Sequence, residues 1–183
     1  MATRAVSEPL AKLPNALTVA RLALIPVFVV VVLSADGEGS ILAASIFAAA
    51  GATDQIDGWL ARRWHVESEF GRFADPLADR LMIDAAVVLL WIDGRLPWPA
   101  LAVILLRDVA LIGGYRLVMN RGYEFSVSTL GKAATWVLYA ALTGLLASDE
   151  GTTWALALFW SGLGLALAAA FLYVVSAARS VRR

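Results

Sequence analysis

The chain contains no cysteine and only one histidine, His65. The absence of cysteine excludes a disulfide framework and a thiolate metal site. A single imidazole also excludes a zinc site that is built from several histidines. His65 falls in a polar connection, where we expect an exposed side chain rather than a metal ligand. Any metal site in this chain must therefore be built from oxygen ligands.

Charged residues are also scarce, at 16% of the 183 residues, and 15 basic residues balance 15 acidic ones. A net charge of zero gives no general attraction to nucleic acid, and we expect no nucleic-acid partner. Hydrophobic residues make up 60% of the chain, and the mean hydropathy is +0.74. These values are too apolar for a soluble domain of this size, so the composition predicts an integral membrane protein.

Six apolar segments, separated by connections rich in turn-forming residues, make up most of the chain. They cover approximately residues 17–33, 41–63, 70–92, 98–119, 128–147 and 154–175. Each is long enough to cross a bilayer as a helix. The pattern predicts an all-α fold in which six transmembrane helices form one bundle and residues 1–183 form one domain. A short juxtamembrane segment at 1–13 would precede the bundle, and a basic tail at 176–183 would follow it.

The basic residues are distributed unevenly between the two ends of these segments. The connections after the first, third and fifth segments hold five acidic residues and one basic residue, Arg95, whereas the opposite side holds nine basic residues. By the positive-inside rule, both termini and the connection between the second and third segments face the cytoplasm. We therefore expect the protein in the cytoplasmic membrane, surrounded by lipid.

Two pairs of aspartates interrupt the second and third segments: Asp54 with Asp57, and Asp75 with Asp79. Ionised carboxylates are costly in an apolar segment unless another group neutralises them. Spacings of three and four residues place each pair on one face of a helix. In two antiparallel helices, a rise of about 1.5 Å per residue puts both pairs at a similar depth, roughly 8 to 14 Å from the helix ends.

Four carboxylates at one depth predict a site for two divalent cations, Mg²⁺ or Mn²⁺, because these ions prefer oxygen ligands. Gly58 leaves space beside the carboxylates, and Arg62, one turn further along, can bind phosphate oxygens in a bidentate manner. This combination favours phosphoryl-type transfer. A cation transporter could use the same carboxylates, and one aspartate alone could form a structural ion pair. The nearly pure aliphatic outer halves of the segments disfavour a transport path.

The stretch DQIDGWLARRWHVESEFGRFADPLAD at 54–79 resembles the signature of the CDP-alcohol phosphatidyltransferase family. The resemblance implies transfer of a phosphatidyl group from CDP-diacylglycerol to an alcohol, with release of CMP. It further implies that the four aspartates bind two divalent cations and that Asp79 is also the base that deprotonates the acceptor hydroxyl. The eight matching positions are Asp54, Asp57, Gly58, Ala61, Arg62, Gly71, Asp75 and Asp79.

The resemblance also implies which residues bind the CDP-lipid and how the protein assembles. Gly58, Arg62, Ser68 and Gly71 would bind its head group. The opening LPNALTVAR of the first segment resembles the glycerol-type branch of the family, in which this region, here Asn15 and Thr18, helps to hold the nucleotide. Alternatively, Asn15 is a helix cap and Arg21 extends its charge to the membrane surface. Similar enzymes are homodimers, and small residues at 162–164 would permit close helix packing.

The acceptor alcohol is the least determined part of this interpretation. Arg107, Arg116 and Lys132 are the candidate cations for an acceptor phosphate, although Arg107 could instead form a structural pair with Asp108. We interpret Arg80 as a cation that either reaches the membrane surface or helps to set the topology. The sequences Arg107-Asp108 and GKAAT at 131–135 are closer to cardiolipin synthases, whose acceptor is phosphatidylglycerol. Glycerol 3-phosphate is the alternative acceptor, and a phosphatidylinositol-phosphate synthase fits the first segment less well.

Overall fold

The computed structural model describes residues 13–64, 69–119, 129–149 and 152–181. Within these ranges, the side chains at 13–15, 54–64, 69–77, 79, 111–119 and 173–181 lie outside the description. The described residues form six helices and no strand, which confirms the all-α prediction. The helices are α1 (Leu13–Leu33), α2 (Ile41–Trp64), α3 (Glu69–Ile92), α4 (Trp98–Met119), α5 (Thr129–Ala147) and α6 (Thr153–Val181).

The predicted helix bounds agree closely with the structure except at the two ends of the chain. Helix α1 begins at Leu13, four residues before the predicted start. The first turn of a helix tolerates Pro14, because a missing amide donor costs nothing there. Because the helix begins at Leu13, Asn15 lies inside it, and the interpretation of Asn15 as a cap was wrong. Helix α6 continues to Val181, so much of the predicted basic tail is helical; its sequence SAARS contains no glycine or proline to end the helix.

Among the described residues, three helices are long and apolar enough to cross a membrane, in their portions Ala16–Leu33, Thr129–Ala147 and Thr153–Leu172. Helix α2 contributes a shorter apolar stretch, Ile41–Thr53. Large apolar side chains are exposed along the outside of the bundle, including Val30 on α1 and Phe171 on α6. Such a surface suits lipid rather than water. The protein is therefore a helical membrane protein, and the count of six spans stays a prediction.

The helices pack around an apolar core in which α1 contacts both α2 and α3, and α2 also contacts α5. Helices α5 and α6 pack together along most of their lengths. Phe28 of α1, Phe47 of α2 and Tyr139 of α5 follow one another through the core, with ring centroids 5.8 and 5.0 Å apart. Because lipid is as apolar as these side chains, close packing rather than removal from water holds such helices together.

The turns at one end of the bundle are joined by hydrogen bonds. The Ser40 amide donates to the Leu146 carbonyl at 2.7 Å, and the Gly39 amide donates to Asp149 Oδ1 at 3.2 Å. The guanidinium of Arg95 donates to the carbonyls of Leu145 and Ser148. These bonds satisfy carbonyls at the end of α5 that have no partner within the helix. The end of the bundle opposite the aspartate-rich stretch is thus tied together across three connections.

Candidate active site and an adjoining charge cluster

The four predicted metal ligands lie on two helices that contact each other: Asp54 and Asp57 on α2, and Asp75 and Asp79 on α3. Counted from Trp64 and Glu69, where the two helices end and begin, the two pairs lie about 10 to 15 Å and about 9 to 15 Å along their helices. The two pairs therefore lie at similar distances from the adjoining ends of α2 and α3. Their side chains are outside the description, so convergence of the carboxylates stays a prediction.

The remaining predicted site residues are placed to different extents. For the CDP-lipid, α1 carries Asn15, α2 carries Gly58 and Arg62, and α3 carries Gly71, all as helix positions without described side chains. Arg116 has a helix position on α4 in the same way. Ser68 and His65 fall in the connection 65–68, outside the described residues. On α5, Lys132 has an exposed side chain.

Thr18 and Arg21 lie in the interior of the bundle, each with only 1% of its surface exposed. They are three residues apart and therefore share a face of α1, the helix that packs against both aspartate-bearing helices. Arg21 lies about 12 Å along α1 from Leu13, at a depth similar to that of Asp54 and Asp79. A buried guanidinium does not reach the membrane surface, so that interpretation of Arg21 was wrong. Helix α1 thus directs a hydroxyl and a cation toward the interior.

A second group of charged residues joins α3 to α4; we call Arg80, Asp84, Arg107 and Asp108 the charge cluster. Arg80 Nη1 donates to Asp108 Oδ1, and Arg107 Nη1 lies 3.2 Å from the same oxygen. Asp108 is 3% exposed. Asp84 interacts electrostatically with the other three residues: the like charge of Asp108 repels it, and the charges of Arg80 and Arg107 attract it. Two arginines and two aspartates balance each other, which is what burial at this depth requires.

The charge cluster retains hydrogen-bonding capacity. Within the described part of the chain, Asp84 Oδ1 and Asp108 Oδ2 are both buried without a hydrogen-bond partner. Buried carboxylate oxygens normally have partners, because leaving one unsatisfied is costly. The two acids therefore offer acceptor sites in the interior of the bundle, between α3 and α4.

The interpretation of Arg80 as a surface-directed cation was wrong, because Arg80 pairs with Asp108. The alternative prediction of a structural pair between Arg107 and Asp108 is confirmed by their contact. A signal was present in the sequence. Since the short turn at 93–97 joins α3 and α4, distances counted from that turn place Asp84, Arg80 and Asp108 at roughly 12, 18 and 15 Å. Opposite charges at matching depth predict contact.

Potential metal ligands do not gather in groups of three or more among the residues with described side chains. The four aspartates of α2 and α3 lie outside that set, so the donor chemistry of the sequence is the basis for a metal site. Four carboxylates and no soft ligand fit Mg²⁺ or Mn²⁺.

Comparison with known proteins places most of the chain in one family. The family model described as CDP-alcohol phosphatidyltransferase matches residues 11–175. This match covers all four aspartates and both sides of the charge cluster.

Individual relatives carry two kinds of name. The chain is 37% identical over 192 residues to a protein of Streptomyces coelicolor named cardiolipin synthase (CMP-forming), covering 98% of this chain and 89% of the relative. It is 35% identical over 146 residues to the CDP-diacylglycerol–glycerol-3-phosphate 3-phosphatidyltransferase of Bacillus subtilis, covering 73% and 76%. It is also 38% identical over 136 residues to a probable phosphatidylglycerophosphate synthase of Mycobacterium tuberculosis, covering 73% and 65%.

Proposed function

The chain belongs to the CDP-alcohol phosphatidyltransferase family, and we propose that it transfers the phosphatidyl group of CDP-diacylglycerol to phosphatidylglycerol, forming cardiolipin and CMP. The protein is an enzyme of phospholipid biosynthesis, as family membership and the names of its relatives agree. The choice of acceptor is the part we propose. It is supported by the Arg107-Asp108 pair, by the single lysine at the start of α5, and by the long match to the Streptomyces cardiolipin synthase.

The observation that carries the catalytic assignment is the placement of two aspartate pairs on α2 and α3, at similar depth on helices that contact each other. The family is generally dependent on divalent metal. We propose that Asp54, Asp57, Asp75 and Asp79 hold two ions, Mg²⁺ or Mn²⁺. When bound, these ions would neutralise the diphosphate charge and lower the pKa of the acceptor hydroxyl.

Asp79 is proposed to act as the general base. Its carboxylate takes the proton of the acceptor hydroxyl as that oxygen attacks the phosphorus atom bonded to diacylglycerol. The bond between this phosphorus and the oxygen of CMP breaks, and CMP leaves with the electron pair. The new phosphodiester contains the acceptor oxygen, and the proton remains on Asp79 until water removes it.

The CDP-lipid would bind along α1, α2 and the connection to α3. Gly58 and Gly71 leave space for the head group, and Arg62 can bind phosphate oxygens bidentately. Ser68, Asn15 and Thr18 are the further contacts proposed for the nucleotide. Burial of Thr18 on the face of α1 that looks into the bundle supports its place in this set.

The acceptor phosphate is proposed to lie near Arg107, Arg116 and Lys132. Arg107 is mostly buried, with 13% of its side chain exposed, and already contacts Asp108, so only part of its charge is available to a ligand. A phosphodiester such as phosphatidylglycerol carries one negative charge, whereas glycerol 3-phosphate carries nearly two. A partly neutralised arginine therefore favours the phosphodiester. Glycerol 3-phosphate is the alternative acceptor, in accordance with the names of two relatives.

We further propose a homodimer in the cytoplasmic membrane, with both termini and the site facing the cytoplasm. The basic residues on that side support the orientation. Gly162 packs against Leu138 within the chain, whereas Gly164 is exposed and has open space beside it. Gly164 is therefore the member of this pair that could approach a second copy. Cross-linking in membranes would test the dimer.

In the decisive experiment, the purified protein is incubated with CDP-diacylglycerol, Mg²⁺ or Mn²⁺, and one acceptor at a time. CMP release is measured together with the mass of the lipid product, for phosphatidylglycerol, glycerol 3-phosphate and inositol phosphate. We expect cardiolipin from phosphatidylglycerol. Formation of phosphatidylglycerophosphate alone would replace the proposed acceptor. No CMP release with any acceptor and either metal would refute the proposed reaction.

A further inference from the structure

Charged residues lie on two different faces of helix α3. At about 100° per residue, Arg80 and Asp84 are about 40° apart on the helix, and their midpoint lies about 140° from the midpoint of Asp75 and Asp79. The Arg80 and Asp84 face turns toward α4, as the ion pair with Asp108 demonstrates. The aspartate pair therefore occupies positions on nearly the opposite side of the same helix.

Asp108 is the residue of α4 that pairs with Arg80 on this face of α3. It is 3% exposed, and the guanidinium groups of Arg80 and Arg107 both contact the same carboxylate oxygen, Oδ1. Breaking the ion pair with Arg80 removes one of the two guanidinium partners of this buried carboxylate, which is unfavourable. Rotation of α3 about its axis would break it. The pair with Asp108 therefore opposes any rotation of α3 relative to α4.

Arg80 directly follows Asp79 in the chain, so the restraint acts next to the proposed base. A change of about 20° in helix rotation moves a side-chain oxygen by an ångström or more, since such atoms lie several ångströms from the helix axis. Coordination of Mg²⁺ tolerates much smaller errors than this. The rotation of α3 must therefore be defined before metal binds.

We propose that Asp108 is a positioning residue: its ion pair with Arg80 fixes the rotation of α3 and so keeps the positions of Asp75 and Asp79 on the metal-binding side. This inference rests on the proposed metal site. Asp108 touches neither metal nor substrate in this scheme. Its role is carried out through α3.

The test measures Mn²⁺ binding directly, by the loss of the free-ion electron paramagnetic resonance signal on titration of the detergent-purified protein. Asp108→Asn keeps the shape of the side chain but removes the charge, and we expect it to weaken Mn²⁺ binding roughly tenfold, as loss of residues that orient metal ligands usually does. Asp108→Glu, which keeps the charge, should restore most of the affinity.

Asp149→Asn is the matched control, because Asp149 accepts a hydrogen bond from the Gly39 amide at the tied end of the bundle. We expect it to lower thermal stability through the loss of this hydrogen bond and to leave the Mn²⁺ affinity equal to that of the wild type. If Asp108→Asn does not fold, Arg80→Lys replaces it, because an ammonium keeps the charge but lacks the planar fork of arginine. We expect this variant to lose several-fold in Mn²⁺ affinity.

Two results would overturn the inference, and they are distinguishable. Equal Mn²⁺ affinity in the wild type and in a folded Asp108→Asn or Arg80→Lys protein would overturn the positioning role and leave the metal site intact. Absence of Mn²⁺ binding by the wild type would overturn the metal site and the positioning role together.

Discussion

Tyr139 of α5 lies directly against Gly51 of α2, so closely that a Cβ atom at residue 51 would come within 2.5 Å of the tyrosine ring carbon Cε1. The same ring contacts Phe47, one turn earlier on α2, with centroids 5.0 Å apart. Gly51 precedes Asp54 by three residues. The contact between Gly51 and Tyr139 therefore determines how closely α2 approaches α5 beside the proposed site.

Gly51→Ala should destabilise the protein, because the new methyl group forces Tyr139 out of its place. Overpacking of this kind costs about 1 to 3 kcal/mol, and thermal unfolding in detergent would measure the loss as a lower Tm. Gly164→Ala is the matched control, since nothing lies within 4 Å of a Cβ at that position. A Gly51→Ala protein as stable as the Gly164→Ala protein would show that Tyr139 moves without cost.

Asp79→Asn should abolish most turnover, because the amide cannot accept the hydroxyl proton and lacks the negative charge that helps to bind the metal ions. Loss of a general base typically lowers the rate by about 100- to 10,000-fold. CMP release from CDP-diacylglycerol, measured at saturating phosphatidylglycerol, would report the change. An undiminished rate would remove Asp79 from the mechanism.

The pH dependence of stability should include a contribution from Asp93, in the turn between α3 and α4. Partial burial raises the pKa of this carboxyl above its ordinary 3.8, and the charge of Arg95 opposes the rise. The folded protein therefore binds this proton more tightly than the unfolded chain. The resulting stabilisation is complete below about pH 3.8 and is lost as pH rises through the folded pKa.

Asp93→Asn removes that contribution, since the amide does not titrate. We expect the variant to be at least as stable as the wild type at pH 7, and the wild type to gain relative to it on acidification toward pH 4. Thermal unfolding of both proteins across that range is the measurement. A constant difference in Tm between them at every pH would contradict the expectation.

The absence of cysteine makes membrane topology directly testable with single-cysteine variants. In a six-span protein with cytoplasmic termini, an impermeant maleimide should label Glu38→Cys and Thr152→Cys from outside the cell. His65→Cys and Glu124→Cys should react only after permeabilisation. Labelling of either of these two in intact cells would refute the predicted orientation or the count of six spans.

Periodicity and hydropathy predicted the six helices, because a bilayer requires long apolar segments with internally satisfied backbones. The same reasoning placed α1 too late in the chain, since hydropathy marks the apolar interior of a helix and not its polar first turn. It also misjudged Arg21 and Arg80. A long basic side chain near a helix end can reach the membrane surface or turn inward. Only the position of a partner such as Asp108 decides which.

The placement of each aspartate pair on one face of a helix could be predicted from the sequence, because spacings of three and four residues define such a face without reference to the rest of the fold. The ion pair between Asp108 and Arg80 was not among the predictions. It depends on which helix packs against the other side of α3, and this is a property of the tertiary arrangement. Charge matching by depth from the 93–97 turn would have indicated the pair.

Helix α6 contains 29 residues, which at about 1.5 Å per residue makes it about 43 Å long. The hydrocarbon layer of a bilayer is only about 30 Å thick. If α6 stands near the bilayer normal, two turns or more must project into the lipid head groups or the water beyond. Its final residues, with Arg179 among them, then form a stiff basic rod at the surface where anionic phospholipids accumulate, rather than a loose end.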